Sequence, residues 1–117
     1  LINNYTPDRV GVMVKRKKRG AGYLKAIDER YPLSKKQGGG VIRVEVWEDS
    51  NGEVVKYSIS YINYAICQKD NGRVIGYDNA HDYHHKHYLG EIFPVNDFES
   101  YEALVGRFEQ EIKEYIQ

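Results

Sequence analysis

VIRVEVWEDSNGEVVKYSISYINYAIC, residues 41–67, decides the fold, because two runs of alternating side chains flank one turn. In the first run Ile42, Val44 and Val46 share a face and Arg43, Glu45 and Trp47 the other, as in a half-buried strand. Asp49-Ser50-Asn51-Gly52 reads as a turn. Beyond it Val55, Tyr57, Ile59 and Tyr61 share a face until the alternation changes phase at Tyr61-Ile62, which predicts a β-bulge. Cys67, at the end of the run, reads as a small buried hydrophobe of a strand. Trp47, on the outward side, lies under the N-terminal segment or serves as a stacking platform for a base.

Working downstream, Asp70-Asn71-Gly72 is a tight-turn signal, since Asn and Gly tolerate positive φ, and GRVIGYDN (72–79) follows as a third strand. HHKHYLG (84–90) turns back as a fourth. NDFESYEALVGRFEQEIKEYIQ (96–117) repeats apolar residues at three- and four-residue intervals through Tyr101, Leu104, Val105, Phe108, Ile112, Tyr115 and Ile116, the period of an amphipathic helix. Asn96 or Asp97 is the expected cap, Asn96 and Glu99 have capping-box spacing, and Pro94 stands just outside. About twenty residues span about 30 Å, enough to cross one face of a four-stranded sheet.

Upstream, Val10, Val12 and Val14 alternate as a strand ending at Lys15–Arg19, five consecutive basic residues. YLKAIDERY (23–31) spaces Leu24, Ile27 and Tyr31 like a short helix stopped by Pro32, and SKKQGGG (34–40) reads as a flexible joint. The expected architecture is one α+β domain over 1–117. It has a basic N-terminal segment (1–40), an antiparallel meander sheet of four or five strands (41–90), and an amphipathic helix (97–116) packed on one face.

The 117 residues carry no net charge, but residues 1–40 hold ten basic and three acidic side chains while 97–117 hold two and six. Such a split allows a basic face for an anionic partner. A single cysteine excludes an internal disulfide and suits a reducing compartment, so the expected location is the cytoplasm. No apolar run is long enough to span a membrane, and LINNYTPDRV lacks the apolar core of a signal peptide.

The chemistry concentrates in YDNAHDYHHKHYLG (77–90), which holds all four histidines, at 81, 84, 85 and 87, together with Asp78 and Asp82. In an extended segment His85, His87 and Leu89 point one way and His84, Lys86 and Tyr88 the other. An antiparallel return brings Tyr77 and Asp78 to the start of this strand, where a carboxylate can fix an imidazole tautomer. Three readings follow. His85 and His87 act as general base and acid in RNA phosphodiester cleavage, with phosphate held by Lys86, Arg73 or the run Lys15, Arg16, Lys17, Lys18 and Arg19. Alternatively, His85 and His87 with Asp78, Asp82 or His81 bind a metal ion. In the third reading the histidines only shape a polar hairpin of a non-catalytic protein-binding module. The Lys15–Arg19 run followed by Gly20-Ala21-Gly22 lacks the Lys-Ser/Thr ending of a nucleotide-binding phosphate loop.

In order, VEVWED (44–49), KYSISYINYA (56–65), GRVIGYDN, the HKH of 85–87 and FESYEALVGRF (98–108) resemble the TumE-like toxin family of prokaryotic toxin–antitoxin modules over residues 41–112. The resemblance implies a small cytosolic toxin, neutralised by a helix-turn-helix antitoxin, that acts on RNA or the translation machinery. The family pattern matches at Tyr77, Asp78, His85 and His87, which inherit the suspected catalytic role; a cofactor is not implied. Residues 1–40 are longer and more basic than that pattern.

Overall fold

The computed structural model describes residues 22–117, so the expected strand at Val10–Val14 and the Lys15–Arg19 run lie outside the described residues. Six strands form one antiparallel meander in chain order: β1 (Leu24–Pro32), β2 (Val41–Glu48), β3 (Val54–Ile62), β4 (Arg73–Asp78), β5 (His85–Tyr88) and β6 (Glu91–Pro94). Among the described residues one α-helix, α1 (Tyr101–Ile112), packs across β3 and β4. The architecture is the expected α+β, with six strands in place of four or five.

The extra strands have identifiable causes. Residues 24–32, expected as a helix, pair with β2 as β1. The register skips between Lys25 and Ile27, where Ala26 is the additional residue. That bulge buries Ala26 and Ile27 side by side and conceals the two-residue period. Glu29, on the core side of the same strand, accepts a hydrogen bond from the Tyr31 hydroxyl and breaks the apolar pattern again. β6 was hidden because its turn uses Leu89, held at φ 48°, where side chains other than Asn, Asp and Gly are uncommon. SKKQGGG is no loose joint: Ser34 Oγ accepts from Gln37 N at 3.2 Å, and Leu33 N donates to Gly40 O at 2.9 Å.

The Asp49–Gly52 turn forms as read. Asp49 Oδ1 accepts from the Asn51 and Glu53 amides at 2.8 and 3.0 Å, an Asx arrangement, with Gly52 at φ 84°. A bulge lies opposite Tyr61-Ile62 in the β3–β4 pairing, but its additional residue is Val74 of β4, and β3 keeps step with β2 through that point. Cys67 is buried, although in the turn after β3 and not in a strand.

Helix α1 starts later than expected. Ser100, not Asn96 or Asp97, is the cap, its Oγ accepting from Ala103 N at 3.0 Å. Twelve residues are helical, and Pro94 belongs to β6. Tyr101, Leu104, Val105, Phe108 and Ile112 are buried against Ile42, Val44, Val46, Tyr57, Ile59, Tyr61 and Tyr77 in one core cluster. Fully burying such side chains is worth roughly 1.5–3 kcal/mol each. The core tyrosines keep polar tips satisfied: Tyr61 donates to Gly39 O at 3.0 Å and Tyr77 to Glu111 Oε1 at 2.7 Å. This explains why tyrosine outnumbers phenylalanine. The fold needs apolar bodies that end at wet margins.

Candidate active site

The opposite face of the sheet carries a charged cluster. In the β4–β5 register Asp78 lies opposite His85 and Gly76 opposite His87, and residues two apart on β5 share a face. Glycine suits position 76, because a Cβ there would come within 2.8 Å of Ser60 Oγ. Asp78 reaches both imidazoles, with Oδ1 at 2.7 Å from His85 Nε2 and Oδ2 at 3.0 Å from His87 Nε2. The remaining ring nitrogens meet Tyr83 O at 3.1 Å and Asp70 Oδ2 at 2.8 Å. Arg73 donates to Asp70 through Nε at 3.1 Å and Nη2 at 2.5 Å, and its Nη1 lies 3.8 Å from Asp78 Oδ2.

All four ring nitrogens of His85 and His87 therefore face oxygen acceptors. Satisfying every contact takes two N–H donors per ring, the cationic imidazole. Two imidazoles and one guanidinium share two carboxylates. Burial alone would push the Asp78 carboxyl up, but the His87 hydrogen bond, the Ala80 amide at 3.0 Å and the charges of both rings hold it below its ordinary value. The rings are nearly closed off, His85 4% and His87 5% exposed. Tyr83 packs on His85 with ring centroids 4.5 Å apart.

The same three residues could hold a metal ion. Asp78, His85 and His87 each offer one ligand atom, all within 4.8 Å of one another, and an imidazole–carboxylate set suits zinc and similar divalent ions. A metal would take ring nitrogens that now hydrogen-bond to Asp78.

A family model described as Toxin TumE matches residues 33–116. The chain belongs to the TumE toxin family. No curated protein and no solved structure matches it significantly. The match leaves out β1 and includes the five residues of the cluster. TumE family membership supports the reading of a toxin of a toxin–antitoxin module, with an antitoxin as its partner.

Of the expected site residues, His85, His87, Asp78 and Arg73 come together. Tyr77 and Lys86 do not. They oppose each other in the β4–β5 register and point to the helix, where both bind the Glu111 carboxylate, Tyr77 at Oε1 and Lys86 at Oε2, each at 2.7 Å. Burial, followed by the Glu111 hydrogen bond, raises the Tyr77 phenol above its ordinary value. Arg73 joins Asp78 and not Tyr77 because the bulge at Val74 resets the alternation. His81 and Asp82 take left-handed φ of 60° and 64° in an exposed turn, away from the candidate metal ligands. The run Lys15, Arg16, Lys17, Lys18 and Arg19, expected to hold phosphate, lies outside the described residues.

Two residues were missed. Asp70 read only as turn chemistry, although it anchors His87 and Arg73. His84 was placed on the far face of β5 and given no task, yet its ring stacks on Phe98 with centroids 3.5 Å apart. Its Nδ1 lies 2.7 Å from the Tyr57 hydroxyl. Burial, then the charge of His85, holds the His84 imidazole below its ordinary value. Trp47 is half-buried on the open face with Lys25 and Lys56 ammonium groups 5.0 and 4.6 Å from its ring centroid.

Proposed function

We propose that this TumE-family toxin arrests growth by cleaving RNA through acid–base chemistry at His85 and His87, without a metal. One observation carries the reading: a single carboxylate, Asp78, bridges two imidazoles beside a guanidinium. In the proposed step one imidazole, in its neutral form, takes the proton of an RNA 2′-hydroxyl, and the other acts in its protonated form. The 2′-oxygen bonds to phosphorus, and the bond from phosphorus to the 5′-oxygen breaks. The other imidazole protonates that oxygen, leaving a 2′,3′-cyclic phosphate and a 5′-hydroxyl end. Asp78 orients both rings, and Arg73 offsets the charge that develops on phosphate. Tyr83 and Asp70 must yield for substrate to reach the rings, since each now occupies a ring nitrogen or covers a ring face. The partner in this reading is a helix-turn-helix antitoxin and the compartment is the cytoplasm. No helix among the described residues is long and apolar enough to cross a membrane.

The test is incubation of purified toxin with single-stranded RNA in excess chelator. The expected result is cleavage with cyclic phosphate ends, lost in His85→Ala and in His87→Ala. Intact RNA, with growth arrest persisting in cells, would overturn the reading. The three-ligand geometry of Asp78, His85 and His87 supports a second reading, a metal-dependent enzyme. Cleavage that chelator abolishes and zinc restores would favour it.

A further inference from the structure

His84 differs from its neighbours because one ring nitrogen is left over. Its Nδ1 is engaged by Tyr57, and Nε2 has no hydrogen-bond partner among the described residues. The ring lines two cavities, of about 530 and 420 Å³, that adjoin at Asn79 and His84 at one end of the sheet. Asn79 is a fixed wall. Its Oδ1 accepts from Tyr57 N at 3.1 Å and its Nδ2 donates to Val55 O at 3.0 Å.

The two cavities differ in chemistry. The first presents the His84–Phe98 ring stack together with Glu53, Glu99 and Glu102. The second is lined by Lys56, His81, one carboxylate, Asp82, and two tyrosines, Tyr23 and Tyr83, which are 66% and 46% exposed. Left-handed backbone at His81 and Asp82 sets the turn that projects Tyr83 to one side of the sheet and His84 to the other. Such strain clusters at functional turns. An aromatic wall with carboxylate acceptors suits a base that carries an exocyclic amino group. A neighbouring ammonium with exposed tyrosines suits phosphate and a second stacked base.

We propose that the paired cavities form a subsite for single-stranded RNA, an amino-bearing base in the acidic aromatic cavity, its phosphate toward Lys56, and His84 between them. The subsite rests on the RNA-cleaving reading and adds the residues that select substrate. Uracil, whose exocyclic groups only accept hydrogen bonds, fits the acidic cavity poorly.

The experiment is fluorescence anisotropy of the full chain with labelled 2′-O-methyl oligocytidylate and oligouridylate, whose blocked nucleophile survives cleavage. The cytidylate is expected to bind several-fold more tightly. Tyr83→Ala, Lys56→Ala and His84→Gln are each expected to raise its Kd roughly tenfold, with circular dichroism confirming the fold. The two exposed positions keep the test intact should His84→Gln unfold. Equal binding of both oligomers, unchanged in all three variants, would overturn the subsite while RNA cleavage by the wild type stands. No RNA binding by a wild type that still arrests growth would remove the subsite and the RNA-cleaving reading together.

Discussion

The two faces of this sheet use buried polar groups in opposite ways. On the helix face hydroxyls and ion pairs sit at the ends of large apolar side chains, as where Tyr77 and Lys86 meet Glu111 at the rim of the Phe108 core. On the open face the charges are the structure. His85, His87, Asp78, Asp70 and Arg73 form one connected network, in which a shared carboxylate replaces the hydrophobic contact. β5 serves both faces, because alternate residues leave its two sides. The lesson is that a core of charges is held by its partners and fails when one is removed, whereas a core of rings fails by leaving a hole.

The contrast can be broken most forcefully by deleting one side chain from each face. Phe108→Ala is expected to cost roughly 3–5 kcal/mol, through lost burial and the cavity left behind. Asp78→Ala is expected to cost a similar amount, roughly 3–5 kcal/mol, because it removes the acceptor shared by two buried imidazoles beside a guanidinium, while Asp78→Asn, which keeps shape and hydrogen-bonding capacity, costs less. Urea denaturation measures both. An Asp78→Ala protein as stable as wild type would mean that the open face is not held by that carboxylate.

A smaller effect comes from acid. The His84 imidazole is depressed in the folded protein, so the unfolded chain takes the proton first and stability falls as pH drops below about 6.5. The Asp78 carboxyl is also depressed. Its contribution is complete above about pH 4, the unfolded range, and is lost as pH falls through the lower folded value. Urea midpoints should therefore decline in two steps. His84→Gln should remove the upper one, and Asp78→Asn should reduce the lower. A single step unaffected by either variant would contradict the assignment. The smallest effect belongs to the Lys86–Glu111 pair, part-exposed on the helix face. Lys86→Ala should cost no more than about 1 kcal/mol and leave toxicity intact, and a loss of toxicity would return Lys86 to the site.

The alternating runs of β2 and β3 were legible in the sequence because one face of each is apolar, β4 followed from the Asp70-Asn71-Gly72 turn before it, and the pairing of His85 with His87 followed from the two-residue period. β1 was not legible, since the bulge at Ala26 and the core-side Glu29 erased its alternation. β6 was missed because Leu89-Gly90 lacks ordinary hairpin chemistry, and α1 was drawn too long because Asn96 and Asp97 mimic a cap that Ser100 supplies. At the site, Asp78 was found through its register. Asp70 was not, because its reach to His87 depends on how the 63–72 loop folds back. Lys86 was included for its nearness in sequence and Tyr77 for its match to the family pattern, although alternation turns both to the other face.

In the proposed function the open-face network is where the toxin works and not only what holds the sheet together. The most direct test is growth inhibition by inducible His85→Gln and His87→Gln toxins, with the purified proteins checked for wild-type circular dichroism. Folded variants that no longer slow growth are the predicted result; folded variants as toxic as the wild type would contradict it.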